Sequence, residues 1–323
     1  MKRNATLAAI AAALIATAAQ GAFTLDVAAP STALPGGAFS VSVPAASDIR
    51  QVTAAIQTDA GTEITSSRAF LYSPSTGGPA WVATIGVPST LPPGSYKVVT
   101  AVATSAGVTR TASALTIGPR EFKHENISLD QSLSQLQTED SAEKQAQANQ
   151  LWRILTTFDG GAVYQTGPLI IPVSKYIVTS PYGERRIFVL TKGGDESSVH
   201  QGIDLAVPEG TQIDASGAGR VVFAGFWLMT GNTVVIEQLP GVYSLYFHME
   251  RMLIHEGQVV RQGEAIGLVG ATGLATGPHL HWQVQVAGVA VDPMSLLSAG
   301  LVALPAVAAK DQGTAPEPVP AGQ

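Results

Sequence analysis

The chain has 323 residues, more than one ordinary domain needs, and its length therefore predicts two domains. Its net charge of −6 gives no indication of nucleic acid as a partner, since a phosphate-binding protein normally carries a basic face. The absence of cysteine excludes disulfides and thiolate ligands, so any metal must be held by His, Asp, Glu or water. A hydrophobic content of 46%, with 33 glycines and 20 prolines, favours a mainly β protein with apolar cores.

Residues 1–22 have the order of a secretory signal peptide. A positive start at Lys2 and Arg3 precedes the uncharged run "ATLAAIAAALIATAA", and small residues follow around positions 18–22. The run is shorter than the ~20 apolar residues of a transmembrane helix. We therefore expect an exported protein of the bacterial periplasm or cell envelope, with no stable membrane span. Retention of the segment as an anchor is the alternative.

Residues 23–118 read as short strands separated by Pro/Gly/Ser clusters. "FSVSV" (39–43) and "YKVVTAVAT" (96–104) contain alternating stretches with β-branched residues. Regular short strands with turn signals predict an immunoglobulin-like β-sandwich. With no titratable cluster, this domain is a candidate spacer or docking module, and an envelope protein is the candidate partner.

Residues 119–168 differ, because most of the segment is polar and free of Gly and Pro. Leucines recur at the helical spacing i, i+4, i+7: Leu129, Leu133 and Leu136. Asp140 followed by Glu143 is typical of a capping-box helix start. We predict a helical linker of one or two helices.

Residues 169–298 return to β structure, with "GRVVFAGF", "NTVVIEQ", "VYSLYFHM", "AIGLVG" and "LHWQVQVAG" as strand candidates. The segment 299–323 is rich in Pro, Ala and Gly and predicts a disordered tail.

Five of the six histidines lie in this second β segment. In "VHQGIDLAVPEG", His200 and Asp204 are four residues apart in a loop entering a strand, where Gly202 permits a bend. A neutral imidazole and a carboxylate are ordinary Zn²⁺ ligands. Alone, this spacing is weak, and a surface histidine beside an aspartate is the alternative.

The alternation of side chains along a strand indicates further candidate site residues in two motifs. In "TGPHLHW", His279 and His281 share one face of a strand and Leu280 faces the other. Two solvent-facing histidines remain the alternative for this pair. By the same alternation, Tyr246 and His248 in "LYFHM" share a face.

In combination, these motifs resemble the LytM/lysostaphin-type zinc metallopeptidases, peptidase family M23. The resemblance rests on "HQGIDLAVPEGTQIDASGAGRVVFAG", "YFHM", "GEAIGLVGATGLATGPHLHWQV" and "VDP", preceded by "SPYGERR" at 180–186. It covers roughly residues 178–297. The implied fold is an antiparallel β-sheet peptidase domain behind the β-sandwich and the linker.

The resemblance also implies the roles of five residues. His200, Asp204 and His281 match the family's Zn²⁺ ligands. His248 and His279 match the histidines beside the open coordination position, which act on water and substrate as catalytic groups. Which of these two is the general base stays open.

Two departures from the family pattern concern the neighbourhood of the cleft. The segment "FVLTKGGDESSV" (188–199) is interpreted as a variable loop beside the cleft. The tyrosine that helps stabilise the oxyanion in some members has no counterpart there, so that role is unassigned.

The resulting hypothesis is an exported zinc metalloendopeptidase that hydrolyses peptide cross-links of peptidoglycan, with a D-alanyl–diaminopimelyl bond as the favoured target. One alternative is a non-catalytic relative that binds and activates a cell-wall amidase. Another is a structural envelope protein with incidental histidines.

Overall fold

The computed structural model of the protein describes residues 26–75, 78–191 and 193–302. The expected signal peptide (1–22) and all but the first residues of the expected tail (299–323) lie outside the described residues. Among the helices that are described, none is both long enough and apolar enough to cross a bilayer.

The amino-terminal half forms two β-sheets that face each other. The strands are β1 (Thr32–Ala33), β2 (Ala38–Pro44), β3 (Ile49–Gln57), β4 (Glu63–Arg68), β5 (Phe70–Tyr72), β6 (Ala80–Gly86), β7 (Gly94–Thr104) and β8 (Gly107–Ile117). One sheet has the order β1-β8-β7-β3-β4 and the other β2-β6-β5. Side chains of both sheets, among them Val41, Ile56 and Leu115, form one buried apolar core. Both strands predicted from alternation are present, as β2 and β7, and the immunoglobulin-like assignment of the sandwich stays a prediction.

The segment after the sandwich contains a strand as well as two helices. These are β9 (His124–Ser128), α1 (Gln131–Thr138) and α2 (Ala142–Thr156). The side chains of Asp130 and Ser141 cap the helices by accepting hydrogen bonds from the backbone N–H groups of Leu133 and Lys144. The predicted capping residue Asp140 is therefore wrong by one position, because the Ser141 hydroxyl is the group that reaches the first turn.

The carboxy-terminal half is organised around a ten-stranded sheet. Its strands are β10 (Ile177–Ser180), β13 (Ile203–Ala206), β14 (Gln212–Asp214), β15 (Gly219–Trp227), β16 (Gly231–Leu239), β17 (Val242–Met252), β18 (Val259–Val260), β19 (Ala265–Val269), β20 (Leu280–Val286) and β21 (Val289–Val291). The main path runs β10-β13-β20-β17-β16-β15-β18, and every pairing is antiparallel. A 3₁₀ turn (Pro293–Ser295) and the short helix α3 (Leu296–Ala299) follow. A mainly β fold is thus confirmed.

A second, smaller sheet stands beside this one and consists of β11 (Arg185–Val189), β12 (Asp195–Val199) and β9. We call these three strands the wing. β11 and β12 form a hairpin, so the interpretation of 188–199 as a loop is wrong. β9 adds to β11 in parallel, which places Ile127 opposite Phe188. Because β11 follows β10 and β12 precedes β13, the wing is attached at the β10–β13 margin of the large sheet.

The large sheet is covered on both faces. Leu280, Trp282 and Tyr246 point into the main core on one side. Leu155 of α2 packs on the opposite face against a smaller apolar cluster that includes Phe223 and Trp227. β20 is therefore buried along its whole length. The side chains that alternate with its core residues are held on the opposite face of the sheet.

The sandwich packs directly on the carboxy-terminal sheet. Phe70 and Val82, which belong to sandwich strands, are part of the main core of the carboxy-terminal half. The hydroxyl of Tyr182 donates a hydrogen bond to the backbone oxygen of Ala290, 2.7 Å away. A Cβ on Gly36 would clash with the ring of this tyrosine, so the glycine permits the close approach.

Candidate metal centre

Three of the predicted site residues converge where β13 and β20 lie side by side. Asp204 of β13 and His281 of β20 are directly paired across the two strands, and His200 lies between β12 and β13. One ligand atom from each of the three lies within 4.8 Å of the others. The Asp204 Oδ1 atom is 3.1 Å from His200 Nε2 and 2.9 Å from His281 Nδ1. The two nitrogens are 3.0 Å apart.

Neighbouring groups determine which ring nitrogen of His200 and of His281 faces Asp204. His200 Nδ1 lies 2.9 Å from the backbone oxygen of Pro181, and His281 Nε2 lies 3.1 Å from Oε1 of Gln283. Carbonyl oxygens only accept hydrogen bonds, so both of these ring nitrogens carry a proton. In the neutral rings, His200 Nε2 and His281 Nδ1 are then bare lone pairs.

The donor set fits a bound cation. Two lone-pair nitrogens and a carboxylate oxygen about 3 Å apart repel one another unless a positive charge lies between them. Two imidazoles, each hydrogen-bonded through its other nitrogen to a carbonyl, are the usual support of metal-ligating histidines. All three side chains are buried, which strengthens the electrostatic interaction between these atoms and a bound cation.

The second oxygen of Asp204 is held by an arginine. Arg186 Nη2 donates a hydrogen bond to Asp204 Oδ2 at 2.6 Å, and Arg186 Nε donates to Glu184 Oε2 at 3.1 Å. Glu184 is fully buried and also forms an ion pair with Lys123. The guanidinium group is thus fixed by one carboxylate while it orients the other, so that Oδ1 of Asp204 faces the histidines.

The electrostatic environment keeps the centre in a ligating form. The charged hydrogen bond from Arg186 Nη2 to Asp204 Oδ2 favours the carboxylate over the neutral acid. Burial lowers the pKa of His281, which favours the neutral ring. A carboxylate and a neutral imidazole are the protonation states that bind a metal.

Gly202 is required here by close packing. A Cβ at this position would lie 2.5 Å from the backbone oxygen of Trp282 and 2.6 Å from Nε2 of His281. The glycine therefore lets the loop after His200 approach β20, and its φ is not in the left-handed region. The predicted bend at Gly202 is present, and the structure adds a close approach to β20 that requires a glycine.

His248 reaches the site by a route that strand alternation does not predict. Phe247 is paired with His281, and their rings stack with centroids 4.9 Å apart, so Phe247 occupies the site face of β17. Alternation would place His248 on the core face with Tyr246. Instead, His248 has a φ of 61°, in the left-handed region, at a point where the register with β16 shifts. This bulge turns His248 toward the site, so the prediction that it shares a face with Tyr246 is wrong.

His248 and His279 lie together beside the three convergent residues. Their ring centroids are 4.8 Å apart, and His279 Nε2 is 3.8 Å from Asp204 Oδ1. Nδ1 of His248 donates to the backbone oxygen of Thr272, and Nδ1 of His279 donates to that of Gly277, each at 2.8 Å. In a neutral ring this leaves Nε2 as the acceptor nitrogen. Burial, assisted by the neighbouring His279 and His281, lowers the pKa of His248 to about 3, so its ring is neutral at pH 7.

All five residues line one cavity of about 710 Å³, a volume in the range of ligand sites. The other two histidines of the chain, His124 and His255, are exposed. Several residues that line the cavity were not predicted from the sequence: Arg186, Gln283, Phe247, Phe188 and the linker side chains Ile127, Leu129, Leu133 and Gln137. Of these, Gln283 had a usable signal, since it lies two residues beyond His281 on a strand and must share its face.

Residues 198–293 match the model of peptidase family M23. This segment is therefore an M23 peptidase domain, which confirms the resemblance predicted from the motifs.

Similar proteins support this assignment. The DD-carboxypeptidase/endopeptidase Mpg of Neisseria meningitidis is 39% identical over 139 residues, which are 43% of this chain and 31% of the relative. The peptidoglycan DD-endopeptidase ShyA of Vibrio cholerae is 39% identical over 121 residues, 38% of this chain and 27% of the relative. The chain thus aligns with only about a third of the length of these relatives.

A solved structure extends the likeness beyond the M23 segment. The crystal structure of a Pseudomonas aeruginosa protein described as a peptidase M23 has a TM-score of 0.58 and 26% sequence identity. It covers 82% of this chain and 95% of its own. The fold similarity therefore includes part of the amino-terminal half.

Proposed function

We propose that this protein is a zinc-dependent endopeptidase that hydrolyses peptide cross-links of bacterial peptidoglycan. The observation that carries the proposal is the set of three buried acceptor atoms of His200, Asp204 and His281 beside two further histidines in one cavity. The names of the relatives, which include peptidoglycan DD-endopeptidases, support the substrate class. Within that class we favour a D-alanyl–diaminopimelyl bond over a pentaglycine bridge as the target.

In this proposal His200, Asp204 and His281 would hold the metal, and they are residue types that Zn²⁺ accepts as ligands. A bound Zn²⁺ supplies Lewis acidity, which polarises a carbonyl and can lower the pKa of a water molecule from 15.7 to ~7.

His248 and His279 carry the proton transfers. Each ring is fixed by a hydrogen bond between Nδ1 and a backbone oxygen, so Nε2 is the nitrogen left to exchange a proton. One of them takes the water proton at Nε2. The other must carry a proton at Nε2, which it donates as a hydrogen bond to the oxyanion or transfers to the leaving amine, and the proton taken from water restores the balance between the two rings.

We further infer the organisation expected from the sequence: a signal peptide at 1–22, an immunoglobulin-like domain at 23–118, a linker at 119–168, the peptidase domain at 169–298 and a tail at 299–323. This organisation, together with the peptidoglycan substrate, places the enzyme in the periplasm or cell envelope. An envelope partner of the immunoglobulin-like domain stays a prediction.

The decisive experiment is mass analysis of muropeptides released from sacculi by the purified protein. We expect cross-linked dimers to be converted to monomers, with loss of this activity in a chelator and recovery on addition of Zn²⁺. Bound zinc with no cleavage of sacculi or purified dimers would overturn the proposal and favour the amidase-activating alternative.

Arg186→Gln is expected to weaken zinc binding by roughly 10–100-fold, the usual cost of losing an outer-shell partner of a metal ligand. The reason is that Asp204 Oδ2 loses its charged partner and the carboxylate is no longer oriented. Zinc affinity can be measured by competition with a chromophoric chelator. Arg185→Gln is the matched control, since Arg185 bonds to Ser89 and lies over the ring of Phe122. Equal affinities of the two variants would contradict this role.

A further inference from the structure

The linker passes over the cavity that contains the metal centre. On the side of the wing, Gln137 of α1 donates a hydrogen bond to Glu196 of β12 at 2.8 Å. On the other side of the cavity, Gln147 of α2 accepts a hydrogen bond at 2.8 Å from the backbone N–H of Leu228, in the turn between β15 and β16. We call the stretch from residue 124 to residue 147 the strap.

The two anchors lie at opposite margins of the cavity. The wing is attached where β10 and β13 meet, whereas Met229 and Thr230 line the cavity just before β16. In the order β13-β20-β17-β16 these margins are three strand spacings apart, about 14 Å. The three ligand residues and the two further histidines belong to the strands between them or to their ends. The strap must therefore cross from one wall to the other.

The strap presents an apolar surface to this cavity. Glu125 and Ile127 of β9 line it on the same strand face, and Phe188 lines it from the neighbouring strand β11. Leu129 and Leu133 continue the apolar surface at the start of α1. The surface is held in place because Ser134 of α1 accepts a hydrogen bond from the backbone N–H of Thr191, at the tip of the β11–β12 hairpin.

The strap leaves the metal centre accessible from within the cavity. Among the described residues, the hydrogen bonds of the three ligand side chains go to one another, to Pro181, to Arg186 and to Gln283, and none goes to the strap. About 710 Å³ remains with the strap in position, enough for several residues of a peptide. The apolar side chains of the strap can therefore contact a bound substrate without blocking access to the metal centre.

We propose that Ile127, Leu129 and Leu133, together with Phe188, form a binding subsite for an uncharged aliphatic side chain of the peptide substrate. This subsite rests on the proposed function and adds to it a specificity determinant contributed by the linker, outside the segment that matches the peptidase family model. An alanyl methyl group or the methylenes of a diamino acid have the required chemistry. Glu125 and Gln137, which line the same cavity, supply polar groups close to this apolar surface.

The test compares Leu133→Ala with Gln135→Ala, a control on the exposed side of the same helix. With a purified cross-linked muropeptide dimer, we expect Leu133→Ala to raise KM roughly tenfold, in the range that lost methylenes cost in an apolar pocket, with kcat and zinc content little changed. Ile127→Ala provides a second variant if Leu133→Ala folds poorly by circular dichroism. An unchanged KM in both apolar variants would overturn the subsite. A rise in kcat/KM would also overturn it, because the strap would then be an obstruction.

A binding measurement separates this inference from the proposed function. Fluorescence anisotropy with a labelled stem tetrapeptide and chelator-treated protein needs no turnover. Weaker binding to Leu133→Ala than to Gln135→Ala supports the subsite even if no cleavage is found, in which case only the proposed function fails. Equal binding to both variants contradicts the subsite while wild-type cleavage of sacculi still supports the enzyme.

Discussion

His281→Ala is expected to abolish zinc binding and peptidoglycan hydrolysis together. His281 supplies one of three protein donor atoms, and it is the partner of Asp204 across β13 and β20. Its removal leaves the Asp204 carboxylate and the His200 ring as an incomplete pair, so the loss of affinity should exceed the roughly 10–100-fold expected for an outer-shell residue such as Arg186. Metal content after dialysis and dimer cleavage are the two measurements.

Two controls make this result specific. His255→Ala removes an exposed histidine at a turn and should leave zinc content and activity unchanged. Thermal unfolding of metal-free His281→Ala should remain cooperative, since Leu280 and Trp282 still fill the core while the lost ring removes its stacking on Phe247. If His281→Ala retains stoichiometric zinc at wild-type affinity, the assignment of the ligand set is wrong.

His248→Ala and His279→Ala are expected to separate metal binding from turnover. Neither side chain belongs to the set whose ligand atoms converge, so each variant should bind zinc. Loss of a general acid or base should reduce kcat by about 10²–10⁴-fold, the usual contribution of such a group. Steady-state kinetics on the muropeptide dimer and zinc analysis of the same samples measure the two properties.

The backbone at His248 calls for an additional variant. Alanine is unfavourable at a φ of 61°, whereas asparagine tolerates the left-handed region. His248→Asn therefore tests the loss of the imidazole with less disturbance of the bulge. Normal cleavage by His248→Asn and His279→Ala would show that the proton transfers belong to other groups.

Local patterns in the sequence predicted much of the fold and most of the candidate site. Alternating β-branched stretches gave the correct positions of β2, β7 and β20, because such stretches suit a strand wherever it packs. The two-residue spacing of His279 and His281 indicated a shared face, and the structure places both rings in one cavity. The convergence of His200 with Asp204 and His281 was implied by the family resemblance, since the intervening 76 positions carry no distance information of their own.

Three of the failures share one physical cause, which is that a strand-pairing partner decided the local conformation. His248 departs from alternation because the register between β16 and β17 shifts beside it. "HENIS" has no strong strand pattern, and it becomes β9 because β11 offers it a free edge. The segment 188–199 looked like a loop because its glycines and charges are typical of one, but its ends pair as β11 and β12.

By itself, the sequence determined the mainly β class, the M23 resemblance and five candidate site residues, because these depend on residue type and on motifs of short spacing. Only the tertiary structure decided the tautomer-defining partners of the histidines, the support of Asp204 by Arg186, and the passage of the linker over the cavity. Each of these is a contact between segments distant in the chain, and such contacts are selected by the packing of the whole domain.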